Sequence, residues 1–208
     1  MKLTKPIFVL AGKTLSGKTT LLNYLIDECH MTNHKKVEKV VTITTRPKRP
    51  GEMNGKDYYF ITNDQFDKMV KENKIIAPRE YHVATGEVWK YGIEKGFENE
   101  YEIPVVVTDV QGIKDLKKEF GAHNIIVFYK EISTILQLKR AMSRKENSRD
   151  EQIRRIISDD EDFKHIWEWS DYILDDEESN ISDDAGFMLN QVDYEIDQFN
   201  DPDRDIYI

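Results

Sequence analysis

A glycine-rich segment near the start of the chain has the residue types and the spacing that bind phosphate. It runs GKTLSGKT from Gly12 to Thr19 and fits the pattern GxxxxGK[ST]. An apolar run over 7–11 precedes it, and a stretch with leucines at helical spacing follows it. Glycines let backbone N–H groups turn inward around phosphate oxygens, and a helix N-terminus favours an anion. The segment therefore predicts binding of a nucleoside triphosphate.

The side chains of this phosphate loop have separate predicted roles. Lys18 would neutralise the β- and γ-phosphates as a catalytic residue, and the Thr19 hydroxyl would ligate Mg²⁺. The predicted triphosphate-binding residues are Gly12, Lys13, Thr14, Leu15, Ser16, Gly17, Lys18, Thr19 and Thr20. These residues indicate a bound triphosphate but do not identify the group that accepts its phosphoryl.

A second candidate phosphate site lies in residues 44–60, TTRPKRPGEMNGKDYYF. Arg46 and Arg49 lie three residues apart on a loop that contains two prolines, and a guanidinium binds phosphate oxygens through two parallel hydrogen bonds. The Tyr58 hydroxyl adds a neutral donor. Taken alone, the segment fits a basic surface loop equally well. The phosphate loop upstream favours a second phosphate site.

Residues 44–60 match the TTRxxRxGExxGxDYxF segment of the guanylate kinases at every fixed position, and the resemblance extends from about Ile7 to Asp176. It implies transfer of the γ-phosphoryl group of ATP to the 5′-phosphate of GMP or dGMP, with Mg²⁺ as cofactor. The fold class expected is α/β, a P-loop NTPase three-layer fold with a mainly parallel sheet, a β-rich nucleoside-monophosphate-binding insert and a lid.

The resemblance also assigns the acceptor residues. It implies that Arg46, Arg49, Tyr58 and Tyr91 hold the acceptor phosphate and that Thr42 touches the guanine. Residues 107–112, VTDVQG, look like the family's DxDxQG strand end, with Val107 in place of the first acid. Asp109 matches the second acid, which lies between the acceptor nucleoside and the metal, so it is an indirect Mg²⁺ ligand.

Three arginines resemble the lid arginines of the family in identity and spacing: Arg140, Arg144 and Arg155. Phosphoryl transfer depends on positioning and on neutralising charge, and mobile arginines that arrive on closure serve both needs. We therefore expect these three to be catalytic. Arg149 and Arg154 fit better as exposed helix residues paired with nearby acids.

The region that would recognise the base departs from the family pattern. Ala77 stands where the family has a glutamate that binds guanine, and Ile93 stands where it has Ser or Thr. Glu80 or Glu87 could supply the carboxylate, and Glu80 is closer in position. Two alternatives stay open: a kinase for another or modified nucleoside monophosphate, and an inactive guanylate-kinase-like binding module.

The elements that must position these residues follow from hydrophobic patterning. Strands alternating with helices imply a mainly parallel sheet, and the β-rich stretch 37–93 interrupts that rhythm as an insert. The run 37–44 is expected to be one strand. We expect a kinase-like domain over 1–185, with its core at 1–36 and 94–185 and its lid at about 140–156. An acidic tail follows over 186–208.

Composition limits the remaining possibilities. The 208 residues carry a net charge of −9, and twelve acids against one base over 175–208 leave the rest of the chain close to neutral. Such a chain lacks the basic stripe of a nucleic-acid-binding protein. One cysteine cannot form an intrachain disulfide. We expect a cytoplasmic monomer or homodimer that binds ATP and GMP and neither nucleic acid nor a membrane.

Overall fold

The first strand, β1 (Ile7–Ala11), consists of five apolar residues that are all buried. It is the central strand of a five-stranded sheet in which every neighbouring pair is parallel. The order is β2–β7–β1–β8–β9, with β2 at Val37–Lys39, β7 at Ile103–Thr108, β8 at Ile125–Lys130 and β9 at Tyr172–Leu174. A strand with both faces covered is expected to be apolar throughout, as β1 is.

The computed structural model describes residues 3–32, 34, 36–83, 86–143, 149–175 and 180–201. The chain divides into two compact units. Unit 1 comprises Met1–Lys39 and Glu102–Ile208, and unit 2 comprises Val40–Tyr101. Each unit contains a sheet of its own, so the predicted α/β class with a mainly parallel sheet and a β-rich insert describes the architecture well.

Helices accompany the parallel sheet of unit 1. They are α1 (Lys18–Thr32), α3 (Val110–Phe120), α4 (Thr134–Ser143), α5 (Arg149–Asp162) and α6 (Ile181–Phe199). Short 3₁₀ turns occur at Phe97–Asn99 in unit 2 and at Ala122–Asn124 and Ile166–Glu168 in unit 1. The main core combines strand residues such as Phe8 and Phe128 with Leu22 and Leu25 of α1. None of the helices in the described ranges is long and apolar enough to cross a membrane.

The acidic C-terminal segment folds as a helix along much of its length. Helix α6 buries Ala185, Met188 and Val192 in the same cluster as the residues of α1. The expected boundary at residue 185 therefore falls inside a helix. Asp184 of this helix is buried and pairs with Lys130 of β8 at 2.7 Å, and Lys130 also donates to the carbonyl of Asp175 at 2.7 Å.

Unit 2 contains a four-stranded sheet in the order β4–β3–β6–β5. Its elements are β3 (Ile43–Thr44), β4 (Tyr59–Phe60), α2 (Asn63–Lys71), β5 (Ile75–His82) and β6 (Val88–Glu94). Thr62 and Gln65 form a capping box at the start of α2, which satisfies backbone donors of the first turn. Phe66 of α2 is buried against Ile43 and Ile75, and these three form a small separate core.

The β-branched run 37–44 differs from the single strand expected of it. Residues Val37–Lys39 pair with β7 in the sheet of unit 1, whereas Ile43–Thr44 pair with β4 and β6 in unit 2. Strand-forming composition does not show where a chain changes partners, because pairing is a long-range contact. The insert therefore spans 40–101 as a compact unit, compared with the expected 37–93.

Candidate active site

The phosphate loop begins directly after β1 and leads into α1. Gly12 lies where a Cβ atom would be 2.6 Å from the carbonyl oxygen of Lys130 and 2.8 Å from the hydroxyl of Ser16. Such contacts cannot be accommodated against a backbone atom, so glycine is required at this position. The loop therefore packs against the carboxyl end of β8, the neighbour of β1 in the sheet.

Lys18 extends back across the loop that precedes it. Its ammonium donates to the carbonyls of Gly12 and Lys13 at 2.6 and 2.7 Å and lies 3.3 Å from the Ser16 hydroxyl. Burial lowers the pKa of Lys18 to about 8, against an opposing effect from Asp159. A cation held among carbonyls in this way is available to an incoming phosphate. Thr19 and Thr20 follow it, exposed in the first turn of α1.

Helices α4 and α5 hold the other side of the loop. Gln137 Nε2 donates to the carbonyl of Thr14, and Arg140 Nη1 donates to that of Leu15, each at 2.8 Å. The carboxylate of Asp159 accepts a hydrogen bond from the Thr14 backbone N–H. Lys13 Nζ pairs with Asp160 at 2.5 Å. Four side chains from two helices thus fix the backbone and the first lysine of the loop.

Two of the three predicted lid arginines lie in the described helices. Arg140 is in α4 and contacts the loop, as its bond to Leu15 shows. Arg155 is in α5 and is partly buried. Arg144 lies outside the described residues. Asp159 lies one turn after Arg155 on α5, and burial raises the pKa of its carboxyl group.

Asp109 follows β7 at the edge of the sheet where the phosphate loop begins. Thr108, the last residue of β7, is paired with Ala11, which directly precedes Gly12. Asp109 caps α3, and its Oδ1 accepts from the N–H of Gly112 at 2.7 Å. Parallel strands place their carboxyl ends at one edge, and ligands of open α/β sheets bind there.

The donor atoms at this edge fit a magnesium ion. Mg²⁺ prefers oxygen ligands, keeps several waters and takes one or two protein groups together with substrate phosphates. The Thr19 hydroxyl and the Asp109 carboxylate are of that kind. Within the described ranges, no group of three or more His, Cys, Asp or Glu could hold a metal ion.

In unit 2 the second phosphate segment is built around Arg46. Its guanidinium is buried and pairs with both carboxylate oxygens of Glu52, at 2.6 and 3.0 Å. Burial disfavours the charged forms of both side chains. The pairing outweighs burial, so the pKa of Arg46 is raised and the pKa of Glu52 is lowered. Glu52 also accepts from the backbone N–H of Arg49 at 2.7 Å, which fixes the loop between the two arginines.

Aromatic rings flank this guanidinium. The Arg46 Cζ lies 5.4 Å from the ring centre of Tyr58 and 5.6 Å from that of Phe60. The rings of Tyr58 and Tyr91 meet edge to face at 6.0 Å. Burial raises the pKa of Tyr58, so its hydroxyl remains a donor near neutral pH. The structure therefore brings Arg46, Tyr58 and Tyr91 together.

The remaining predicted acceptor residues are more scattered. Arg49 is partly buried and acts electrostatically on Tyr58 and Glu52. The carbonyl of Thr42 accepts from the N–H of Tyr59 at 2.8 Å, which places Thr42 at the start of β3 beside β4. Glu80 is exposed, 3.6 Å from the ammonium of Lys90. Lys90 also binds Asp67 of α2, so Glu80 belongs to the α2 side of the hairpin.

A bulge explains why Glu80 is not beside Tyr91. The β5–β6 pairing shifts between Ile76 and Arg79, and Ala77 has a φ of 52° within that interval. Beyond the bulge Arg79, rather than Glu80, lies opposite Tyr91. Because successive side chains of a strand point to opposite faces, Glu80 is directed away from the face of Tyr91. The register therefore places Glu80 on the face opposite Tyr91, and recognition of the base by Glu80 stays a prediction.

These arrangements coincide with a match to known proteins. The family model described as guanylate kinase matches residues 4–185, which is most of the chain. The chain belongs to the guanylate kinase family. A relative from Geobacter sulfurreducens named guanylate kinase is 30% identical over 176 residues, with 84% of this chain and 82% of that protein covered. The predicted family is thus confirmed.

Other guanylate kinases give a consistent comparison. Guanylate kinase 2, chloroplastic/mitochondrial, from Oryza sativa is 31% identical over 178 residues, and the alignment covers 84% of this chain and 59% of that protein. The crystal structure of guanylate kinase from Anaplasma phagocytophilum has a TM-score of 0.67 at 22% identity, covering 94% of this chain and 88% of that one. This structural likeness confirms the predicted fold.

Several residues of the candidate site were not identified from the sequence. Glu52 lies inside the matched motif, but a motif does not state that its glutamate neutralises Arg46. Gln137 and Asp159 reach the phosphate loop from more than 100 residues away, so no local pattern reveals them. Arg79 lies opposite Tyr91 because a bulge shifts the strand register. The sequence carries one signal of this bulge, the Ala77–Pro78 pair, because a proline within a strand pattern indicates an irregularity.

Proposed function

We propose that the protein transfers the γ-phosphoryl group of ATP to the 5′-phosphate of GMP or dGMP, giving ADP and the nucleoside diphosphate. The observation that carries this proposal is the phosphate loop with the Lys18 ammonium held across it, in a chain of the guanylate kinase family. A kinase of nucleoside monophosphates needs this donor site and a separate acceptor site. Unit 2 supplies candidates for the acceptor site.

On the donor side, Lys18 and the loop backbone bind the β- and γ-phosphates. The Lys18 ammonium exchanges its carbonyl partners for phosphate oxygens and stabilises the charge that develops during transfer. Arg140 and Arg155 add positive charge from α4 and α5, as Arg144 does in the proposed lid of about 140–156. Thr19 and Asp109 would hold Mg²⁺, which neutralises phosphate charge when it is bound.

On the acceptor side, Arg46, Arg49, Tyr58 and Tyr91 bind the 5′-phosphate. Glu52 keeps the Arg46 guanidinium oriented, and the Tyr58 ring packs beside it, so little side-chain freedom is lost on binding. Tyr58 and Tyr91 donate through their hydroxyl groups. Positioning and electrostatic stabilisation account for most catalysis in phosphoryl transfer, and these residues serve the positioning.

The test is a coupled assay of ADP formation with Mg-ATP and a panel of GMP, dGMP, AMP, CMP, UMP and dTMP. We expect turnover with a purine monophosphate that carries an oxygen at position 6. The Lys18→Ala variant should lose at least about 10²–10³-fold in kcat, the typical cost of one charge-stabilising donor. Lys71 is exposed on α2, so Lys71→Ala is a matched control that should leave kcat unchanged.

Two results would contradict the proposal. One is the absence of phosphorylation of every monophosphate while the protein remains folded. The other is an unchanged kcat in Lys18→Ala. Absence of turnover with ATP still bound would favour an unusual acceptor, and absence of ATP binding would favour the inactive binding module.

A further inference from the structure

The bulge in β5 determines which side chains accompany the acceptor-phosphate residues. Beyond it, Arg79 is opposite Tyr91 and Tyr81 is opposite Trp89. Directly opposed residues of an antiparallel pair share one face of the sheet. The rings of Tyr81 and Tyr91 meet edge to face at 5.3 Å, which places both side chains on that face. Arg79 and Trp89 therefore line the same surface as Tyr91.

Both of these additional side chains are hydrogen-bond donors. Arg79 is partly buried; its guanidinium can donate but not accept, and its Nη1 donates to the carbonyl of Pro78 at 2.8 Å. The indole Nε1 of Trp89 is buried, and none of the described residues accepts a hydrogen bond from it. A buried donor without an acceptor is costly, unless a ligand supplies the acceptor. The face beside Tyr91 is therefore suited to a ligand edge that carries acceptor atoms.

The carboxylates near this hairpin are less well placed. Glu80 is on the opposite face with Lys90 and Asp67. Glu87, Trp89 and Tyr91 are spaced two residues apart and so point to one face of the strand. Glu87, however, lies opposite Val83 at the exposed end of the hairpin. Glu87 lies four positions before Tyr91, a span of about 13 Å along an extended chain. Arg79, in contrast, is the direct neighbour of Tyr91.

We propose that Arg79, assisted by Trp89, is the specificity-determining residue for the acceptor base and selects 6-oxopurine monophosphates through O6 and N7. This inference rests on the proposed function and names its substrate class. Guanine presents O6 and N7 as acceptors, and an arginine fork binds both at once. The N1–H and 2-amino groups of guanine are donors and gain nothing from Arg79. The 2-amino group therefore contributes little to selection.

Substrate preference tests this directly. IMP lacks the 2-amino group but keeps O6 and N7, so we expect its kcat/KM to lie within about threefold of that of GMP, because Arg79 contacts only the shared edge. AMP presents an amino group at position 6, opposite a donor, and should be a poor substrate. An IMP value more than about 100-fold below that of GMP would overturn the inference, because it requires an acceptor for the 2-amino group.

The Arg79→Gln variant provides a second test. Loss of a bidentate arginine contact should lower kcat/KM for GMP and IMP together by about 5- to 150-fold. A glutamine amide matches the N6/N7 edge of adenine, so the AMP-to-GMP ratio should rise. An equal loss for GMP, IMP and AMP would assign Arg79 to the shared phosphate or ribose and overturn the inference. Lys71→Gln, at an exposed position of α2, is the matched control and should leave kcat/KM for GMP, IMP and AMP unchanged.

A separate measurement distinguishes failure of this inference from failure of the proposed function. Equilibrium binding of GMP, IMP and AMP by calorimetry needs no turnover. If no monophosphate is phosphorylated, the proposed function fails, while comparable binding of GMP and IMP that weakens in Arg79→Gln still supports base recognition by Arg79. If GMP is phosphorylated but Glu87→Gln, and not Arg79→Gln, removes the preference for GMP, the function stands and the inference fails.

Discussion

Lys18 carries its charge in surroundings that disfavour it. Burial lowers its pKa to about 8, while two backbone carbonyls and Asp159 favour the ammonium form. A triphosphate brings several negative charges to the same place and favours protonation further. The lysine is therefore poised to gain more from a phosphate than an exposed lysine would, because it has already lost its water.

The first prediction concerns pH. In the free protein Lys18 loses its proton as the pH rises through about 8, so kcat/KM for ATP should fall above that pH, approaching tenfold per unit. Bound phosphate raises the pKa of the same group, so kcat at saturating ATP should decline only at higher pH. Initial rates over pH 6–10 measure both limbs. A kcat/KM for ATP that is constant up to pH 10 would contradict the assignment.

The second prediction concerns Asp159, whose carboxylate occupies the Thr14 N–H of the phosphate loop. ATP phosphates must compete with this carboxylate and are repelled by it. Asp159→Asn should therefore tighten ATP binding at least about fivefold, the equivalent of one charge interaction of about 1 kcal/mol. Titration calorimetry with ATP alone measures the affinity.

Glu161 supplies the control for charge. It is exposed on the same helix, so Glu161→Gln makes the same change in net charge away from the loop. If both variants increase the affinity for ATP equally, the effect comes from net charge and not from the hydrogen bond to Thr14. Weaker ATP binding in Asp159→Asn would instead show that the carboxylate supports the loop.

Single residues also mark how far sequence alone could predict the site. Lys18, Arg46 and Tyr58 were predicted to bind phosphate because they belong to short motifs with fixed spacing, and Tyr91 was predicted from the family resemblance; these roles stay predictions. The placement of Glu80 could not be predicted, because one bulge changes the face of every residue that follows it. Asp159 could not be predicted either, since its contact with Thr14 joins residues 145 positions apart.

At the scale of elements, α6 shows the same difference between what a local sequence pattern predicts and what a long-range contact determines. Its apolar residues have helical spacing, yet its acidic composition is typical of a solvated tail. The helix forms because Ala185, Met188 and Val192 complete the cluster shared with α1. Local patterning indicates a helix, but only the tertiary contact reveals that it is part of the core.

The third prediction tests this contact. Met188 is fully buried, so Met188→Ala should lower the free energy of unfolding by about 2–5 kcal/mol. Tyr194, on the same helix with 54% of its surface exposed, gives the control, and Tyr194→Ala should change it by less than about 0.5 kcal/mol. Urea titration followed by circular dichroism measures both. Equal small effects would show that α6 is not part of the core.

At the scale of the whole molecule, the two phosphate segments belong to different compact units. The phosphate loop and Asp109 lie in unit 1, whereas Arg46, Tyr58 and Tyr91 lie in unit 2. Each set is fixed by contacts within its own unit, as the Arg46–Glu52 pair and the Lys18 hydrogen bonds show. Each unit should therefore recognise its own nucleotide.

The fourth prediction uses thermal stability to separate the two sites. A ligand at about 100 times its Kd stabilises the native state by about 2.7 kcal/mol. ATP and GMP should each raise the Tm when added alone, and Lys18→Ala should abolish the shift with ATP but keep the shift with GMP. Arg46→Met should do the reverse. Scanning fluorimetry measures the Tm, and loss of both shifts in either folded variant would contradict separate sites.

The buried pair of Lys130 and Asp184 has a consequence for synthesis of the chain. The carbonyl of Lys130 forms the floor beneath Gly12, while its ammonium depends on a carboxylate that the ribosome adds 54 residues later. Until Asp184 has left the exit tunnel, the Lys130 ammonium lacks this carboxylate, so we expect β8 to reach its final buried position only after α6 has been synthesised. We therefore expect nucleotide binding to be acquired late in translation, and a chain halted before α6 should expose apolar surface that chaperones bind.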